Sequence, residues 1–125
     1  MLQPKQNIIK EKSFVFALRI IKMYNFLKEH KKEFILSKQL LRSGTSIGAM
    51  VRESINAETP KDFIHKLSIA QKECDETCYW LELLKEADYL TEKEFVSIYN
   101  DAIEILKIIR AIIIKSKQKL NGNNS

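Results

Sequence analysis

Glycine and proline are scarce, three and two residues in a chain of 125, which excludes an architecture of many tight turns and points to long helices. Cysteine is limited to Cys74 and Cys78, too few to staple a fold, and His30 and His65 stand at no ligand spacing from them. The two thiols lie four apart on the apolar side of one helical pattern, where they read as small buried hydrophobes. Long apolar runs are missing too. Runs such as Ala111-Ile112-Ile113-Ile114 fall far short of the about 20 residues a membrane span requires. The N-terminus, Met1-Leu2-Gln3-Pro4-Lys5-Gln6, leads into charged sequence rather than an apolar signal region, so a cytoplasmic location is expected.

Catalytic patterns are absent in the same way. Bundle di-iron centres use Glu-x-x-His motifs, and this chain offers only Glu73-Cys74-Asp75-Glu76. Ser43, Thr45 and Ser46 have no histidine in the same motif to activate them. Gly44-Thr45-Ser46-Ile47-Gly48 has the look of a phosphate loop but follows no strand. No enzyme activity, metal or cofactor is therefore expected.

What is present is 45% hydrophobic and 30% charged residues, with a net charge of +5, in a length that suits one domain over residues 1–125 with loose ends near 1–7 and 118–125. The organising stretch is 40–53. At about 100° per residue, Leu40, Gly44, Ile47, Val51 and Ile55 share one helical face, and Arg42, Ser46, Ala49 and Glu53 the opposite one. A glycine inside a helix costs roughly 0.5–1 kcal/mol, so Gly44 and Gly48 imply close approach of a neighbouring helix.

A first helix is expected from Ile8 or Ser13 to Lys31, with Phe14, Ala17, Leu18, Ile21 and Tyr24 as one stripe and Phe16, Ile20, Met23 and Leu27 widening it. Ser37 is the expected N-cap of a second helix reaching Glu58. Thr59 caps and Pro60 opens a third, reaching Ala87. Its main stripe is Phe63, Leu67, Ala70, Cys74, Cys78 and Leu81; a second carries Ile69, Glu73, Glu76, Trp80 and Leu83. Thr91-Glu92-Lys93-Glu94 is a capping box for a fourth, which runs to Lys117 with isoleucines at helical rather than alternating spacing. The class is all-α, an antiparallel up-down-up-down four-helix bundle. Apolar surface on all four helices exceeds what one small bundle leaves exposed, so a homo-oligomer is expected.

Two polar constellations stand out. Arg42, Glu53, Glu73 and Glu76 read as a half-buried ion network fixing helix register, where removing one partner of a buried pair costs about 3–5 kcal/mol. Lys107, Arg110, Lys115, Lys117 and Lys119, with no acid after Glu104, are the candidate contact for nucleic-acid phosphates, and Lys5, Lys10 and Lys12 can add to them. The plainer reading of that segment is a solvated face balancing the helix dipole; a ring would multiply each weak patch. Aromatics fall on core stripes, so base stacking is not expected.

The run from Ser37 to Ala49 (SKQLLRSGTSIGA) with Arg52-Glu53 resembles the bacterial 23S rRNA intervening-sequence protein family. Ser13-Phe14 with Ala17-Leu18-Arg19-Ile20, Asp62 to Leu67 and Lys72 to Leu84 extend the likeness over roughly residues 13–110. The resemblance implies an up-down bundle assembled as a pentamer. A related protein, the accessory factor of diversity-generating retroelements, implies nucleic acid and a ribonucleoprotein or reverse transcriptase as partners, with no membrane. Met50 stands where the family usually has Asn, Ser54 where it has Gly or Ala, and Cys74 where Ala is commoner. The functional expectation is a non-enzymatic accessory protein binding RNA or DNA weakly through phosphates. The alternative is a protein-interaction scaffold without nucleic-acid binding.

Overall fold

The computed structural model describes residues 4–122. Four helices follow in order: α1 (Pro4–His30), α2 (Leu36–Ile55), α3 (Pro60–Glu86) and α4 (Glu92–Gly122). No strand occurs among the described residues, and no helix is long and apolar enough to cross a membrane. The ends are more helical than composition suggests. Residues 4–7 and 118–122 continue α1 and α4, while the rest of the expected loose ends lies outside the described residues.

Local chemistry sets the helix starts. The Thr59 hydroxyl accepts from the Asp62 N–H at 3.0 Å, with Pro60 in the first turn, where its missing N–H leaves nothing unpaired. At α4 the Glu94 carboxylate accepts from Thr91 N–H at 2.8 Å, and the Thr91 hydroxyl accepts from Glu94 N–H at 3.1 Å, the reciprocal pair of a capping box. The start of α2 corrects the expectation for Ser37. Ser37 is inside the helix and buried, and its hydroxyl donates to the Glu33 carbonyl at 2.8 Å. The cap is Glu33, whose carboxylate accepts from the N–H groups of Ile35, Leu36 and Ser37 at 3.1, 2.9 and 2.7 Å. A longer side chain reaches the same orphan donors from further back along the chain.

Burial pushes the Glu33 carboxyl up, but the N–H groups of Leu36, Ser37 and Ile35 and the Ser37 side chain outweigh it and hold the carboxyl below its ordinary value. A depressed folded value means that the ionised form stabilises the fold above the unfolded value near pH 4.3, and that this is lost as pH falls through the folded value. Glu33→Ala is expected to cost about 2 kcal/mol at neutral pH and to flatten the acid limb of stability against pH, read by thermal melts across that range. An unchanged acid limb would show that Glu33 does not carry it.

Each helix turns one face to a common core. Ile9, Phe16, Ile20 and Leu27 of α1 meet Leu40, Ile47 and Val51 of α2, Leu67, Ala70, Cys74, Leu81 and Leu84 of α3, and Ile98, Ala102, Ile105 and Ile109 of α4. Neighbouring helices pair with residue numbers rising on one as they fall on the other. Gly44 meets Ile20 and Gly48 meets Ser13; Arg42 meets Glu73 and Glu76 while Glu53 meets Lys66; Cys74 meets Ala102 while Lys85 meets Glu92; Lys12 meets Glu104 while Arg19 meets Asp101. The α1–α4 seam is the most lightly packed of the four.

The α1 stripes do not have the expected ranking. Phe14, Leu18 and Ile21, one of the two expected inward stripes, are exposed by 51%, 47% and 40%, and the Phe16–Ile20–Leu27 stripe fills the core instead. A helix apolar on nearly every side has no strong amphipathic direction, so spacing alone does not say which stripe the neighbours cover.

Candidate nucleic-acid interface

The second half of α4 is the most one-sidedly charged segment of the fold. Lys107, Arg110, Lys115, Lys117 and Lys119 are all exposed, and none forms an ion pair among the described residues. Helical geometry divides them. Lys115 and Lys119 are one turn apart on one side, whereas Lys107, Arg110 and Lys117 share another. The start of α1 lies against the first pair: a groove of about 450 Å³ is lined by Pro4, Lys5, Ile112, Lys115, Ser116 and Lys119. Of the other added lysines, Lys12 bridges to Glu104 at 2.5 Å, and Lys10 lines a smaller groove between α1 and α2 with Phe14 and Arg52.

Further along the α1–α4 seam the charge changes. The next groove, about 390 Å³, carries Glu11, Asp101 and Glu104 against the single cation Lys12. Beyond it the Arg19 guanidinium donates to Asp101 at 2.5 Å, to the Ser97 carbonyl at 3.2 Å and to the Ser97 hydroxyl at 2.9 Å. This tie was not legible in the sequence, because nothing local pairs positions 78 to 82 residues apart.

The proposed ion network separates into two parts. Arg42 on α2 forks between Glu73, at 3.0 Å, and Glu76 on α3, and the Trp80 ring N–H donates to the same Glu76 oxygen at 3.4 Å. Glu53 stands apart and pairs with Lys66 at 3.2 Å, since it lies eleven positions along the helix from Arg42, a rise of about 16 Å. Because the Arg42 side chain is 51% exposed, water screens the fork and the cost expected of a buried pair does not apply. Arg42→Ala is expected to lower stability by no more than about 1 kcal/mol in urea melts; a loss of several would mean that assembly buries the fork.

Cys74 and Cys78 are both buried free thiols, and Cys74 donates to the Ala102 carbonyl at 3.3 Å. Its contact with Cys78, together with burial, pushes the Cys74 thiol far up, so it packs as a neutral group. Among the described residues no three His, Cys, Asp or Glu side chains are placed to hold a metal. Ser54, at the position where the resemblance has a smaller residue, is buried with its hydroxyl donating to the Val51 carbonyl at 2.6 Å.

Comparison with known proteins agrees with the bundle. The chain is similar to a solved protein of unknown function from the S23 ribosomal protein family of Bacteroides thetaiotaomicron, at 53% identity and a TM-score of 0.86, over 87% of this chain and 97% of that one. No protein with a curated description matches. The sequence pattern of the family described as 23S rRNA-intervening sequence protein matches residues 5–111, which reach into all four helices. On that match the chain belongs to the 23S rRNA-intervening sequence protein family.

Proposed function

We propose that this protein is a non-enzymatic accessory factor: one antiparallel up-down-up-down four-helix bundle that self-associates and holds RNA or DNA through backbone phosphates. The observation that carries the reading is the charge of α4 after Glu104, five exposed cations and no anion. Such a surface attracts polyphosphates without reading sequence. The opposed numbering of neighbouring helices supports the topology. The exposed apolar face of α1 supports self-association, and the family resemblance suggests a pentamer. A ring brings several α4 surfaces together, so modest patches add up to useful affinity. A ribonucleoprotein or reverse transcriptase in the cytoplasm is the partner this reading favours.

Electrophoretic mobility of labelled RNA and DNA across a salt series tests it. A shift at low salt that weakens steeply as salt rises is the expected result, and no shift at low salt would overturn the reading. The scaffold alternative has its own observation. Phe34 and Ile35, in the connection between α1 and α2, are exposed by 51% and 77%, as an apolar protein contact would require.

A further inference from the structure

The basic residues of α4 do not form one surface, and their division carries a sharper assignment. Lys115 and Lys119 face the start of α1, where Lys5 joins them around the groove of about 450 Å³. That volume lies within the roughly 300–1,000 Å³ of ligand clefts. No carboxylate of the described residues lines it. None of the three ammonium groups has an ion-pair partner among the described residues. Three like charges around one concavity repel one another until an anion enters. Lys107, Arg110 and Lys117 line neither this groove nor the next one along the α1–α4 seam.

The seam beyond the groove fixes where an anion sits. In the neighbouring groove Lys12 pairs with Glu104 and Arg19 with Asp101, which leaves Glu11 as the carboxylate without an ion pair among the described residues, so an approaching phosphate is favoured at the lysine end. Among the described residues the first turn of α1 carries no acidic side chain beside Lys5. Ile112, nearly buried, offers an apolar wall, and Ser116 a hydroxyl. No aromatic ring lines the groove, so it suits a phosphate and its sugar and not a stacked base. Lys115 and Lys119 lie beyond the residues matched by the family pattern, so this cluster is read from this chain alone.

We propose that the groove formed by Lys5, Lys115 and Lys119 is the site that grips the phosphodiester backbone, and that Lys107, Arg110 and Lys117 are peripheral to it. This assignment rests on the nucleic-acid reading above and locates the contact within it. The binding is sequence-neutral, because every contact is to the backbone.

The test compares two variants with equal loss of charge. In one, Lys5, Lys115 and Lys119 are replaced by Gln; in the other, Lys107, Arg110 and Lys117 are. All six positions are exposed and Gln has a helix propensity close to that of Lys and Arg, so both variants fold, which far-ultraviolet circular dichroism checks. Anisotropy of a labelled duplex is titrated between about 50 and about 200 mM salt. The groove variant is expected to lose at least about tenfold in affinity at the lower salt and to reduce the slope of log K against log salt by about two to three. The peripheral variant keeps its slope to within about one. Lys115→Gln alone gives roughly a third of the groove effect, which keeps the test available if the triple variant assembles poorly. Equal losses in the two triple variants would overturn the groove while leaving nucleic-acid binding intact. Absence of binding by the unaltered protein would overturn both. Inorganic phosphate separates a backbone contact from a site for the free ion: displacement of the duplex at phosphate levels no more effective than matched chloride ionic strength supports the backbone assignment, and displacement well beyond it overturns that assignment.

Discussion

If the protein self-associates through α1 as proposed, Leu18→Glu is expected to leave it as folded monomers. Ten large hydrophobic residues are exposed among those described, and five of them, Ile8, Phe14, Val15, Leu18 and Ile21, belong to α1. They lie away from the Ile9–Phe16–Ile20–Leu27 stripe that faces the core, so the helix presents apolar side chains on both sides. Contiguous exposed apolar surface of this kind marks an interface. Leu18 sits between Phe14 and Ile21 at helical spacing, so a carboxylate there enters the middle of the patch. An unpaired charge buried at an interface costs about 3 kcal/mol or more, roughly a hundredfold or more in each dissociation constant. In the isolated subunit the same side chain is in water, and the fold changes by no more than about 0.5 kcal/mol. Light scattering on a sizing column reads the mass, and a thermal melt confirms folding. A variant that keeps the mass of the unaltered protein, or an unaltered protein that is itself monomeric, would remove α1 as the self-association surface.

The second large effect is at Gly44. A Cβ there would lie 2.7 Å and 2.9 Å from Cγ1 and Cγ2 of Ile20, a fully buried residue. Those atoms branch directly from Ile20 Cβ, and a β-branched side chain in a helix has essentially one rotamer, so it cannot swing aside. Gly44→Ala is expected to destabilise by about 1–2 kcal/mol, because overpacking of about 1–3 kcal/mol exceeds the gain of about 1 kcal/mol in helix propensity. Gly44→Val reaches about 3 kcal/mol or more, with a marginal fold at physiological temperature. Gly48 is the control. A Cβ there meets the Ser13 carbonyl oxygen at 3.4 Å, ordinary contact, so Gly48→Ala is expected to be neutral or slightly stabilising. In urea melts the double variant Ile20→Ala/Gly44→Ala should cost less than the two single changes added together, because Ala at position 20 removes the clashing atoms. Strict additivity would mean that the steric contact is not what Gly44 serves.

These glycines show what the amino-acid order discloses. Two glycines inside a strongly periodic helical pattern have few uses other than close packing, and α1 does press on Gly44, whereas Gly48 has room for a methyl group. Thr59 and Thr91 were legible for a related reason, since a cap acts within three residues of itself. Glu33 was not, because its carboxylate reaches over Ile35 to donors that a shorter side chain at Ser37 was expected to serve. The orientation of α1 depends on which of two apolar stripes the other helices cover, and that is a property of the whole bundle. The basic segment of α4 was visible as charge, and helical spacing divides it between two faces, but the arrival of Lys5 at one of them needed the helix in place beside α1.

The α1–α4 seam bears on the order of folding. Its ties, Arg19 to Ser97 and Asp101 and Lys12 to Glu104, join the most distant parts of the chain, whereas α1 with α2, α2 with α3 and α3 with α4 are consecutive hairpins. Closing the largest loop carries the largest chain-entropy penalty and here gains the least packing, so the hairpins form first and the seam shuts last. By the same balance it is the first to part when the native protein fluctuates, and added salt, which weakens its exposed ion pairs, widens that opening. Native-state hydrogen exchange should therefore find the amides of α1 and α4 less protected than those of α2 and α3; equal protection across all four helices would argue for a seam that opens only with the whole bundle.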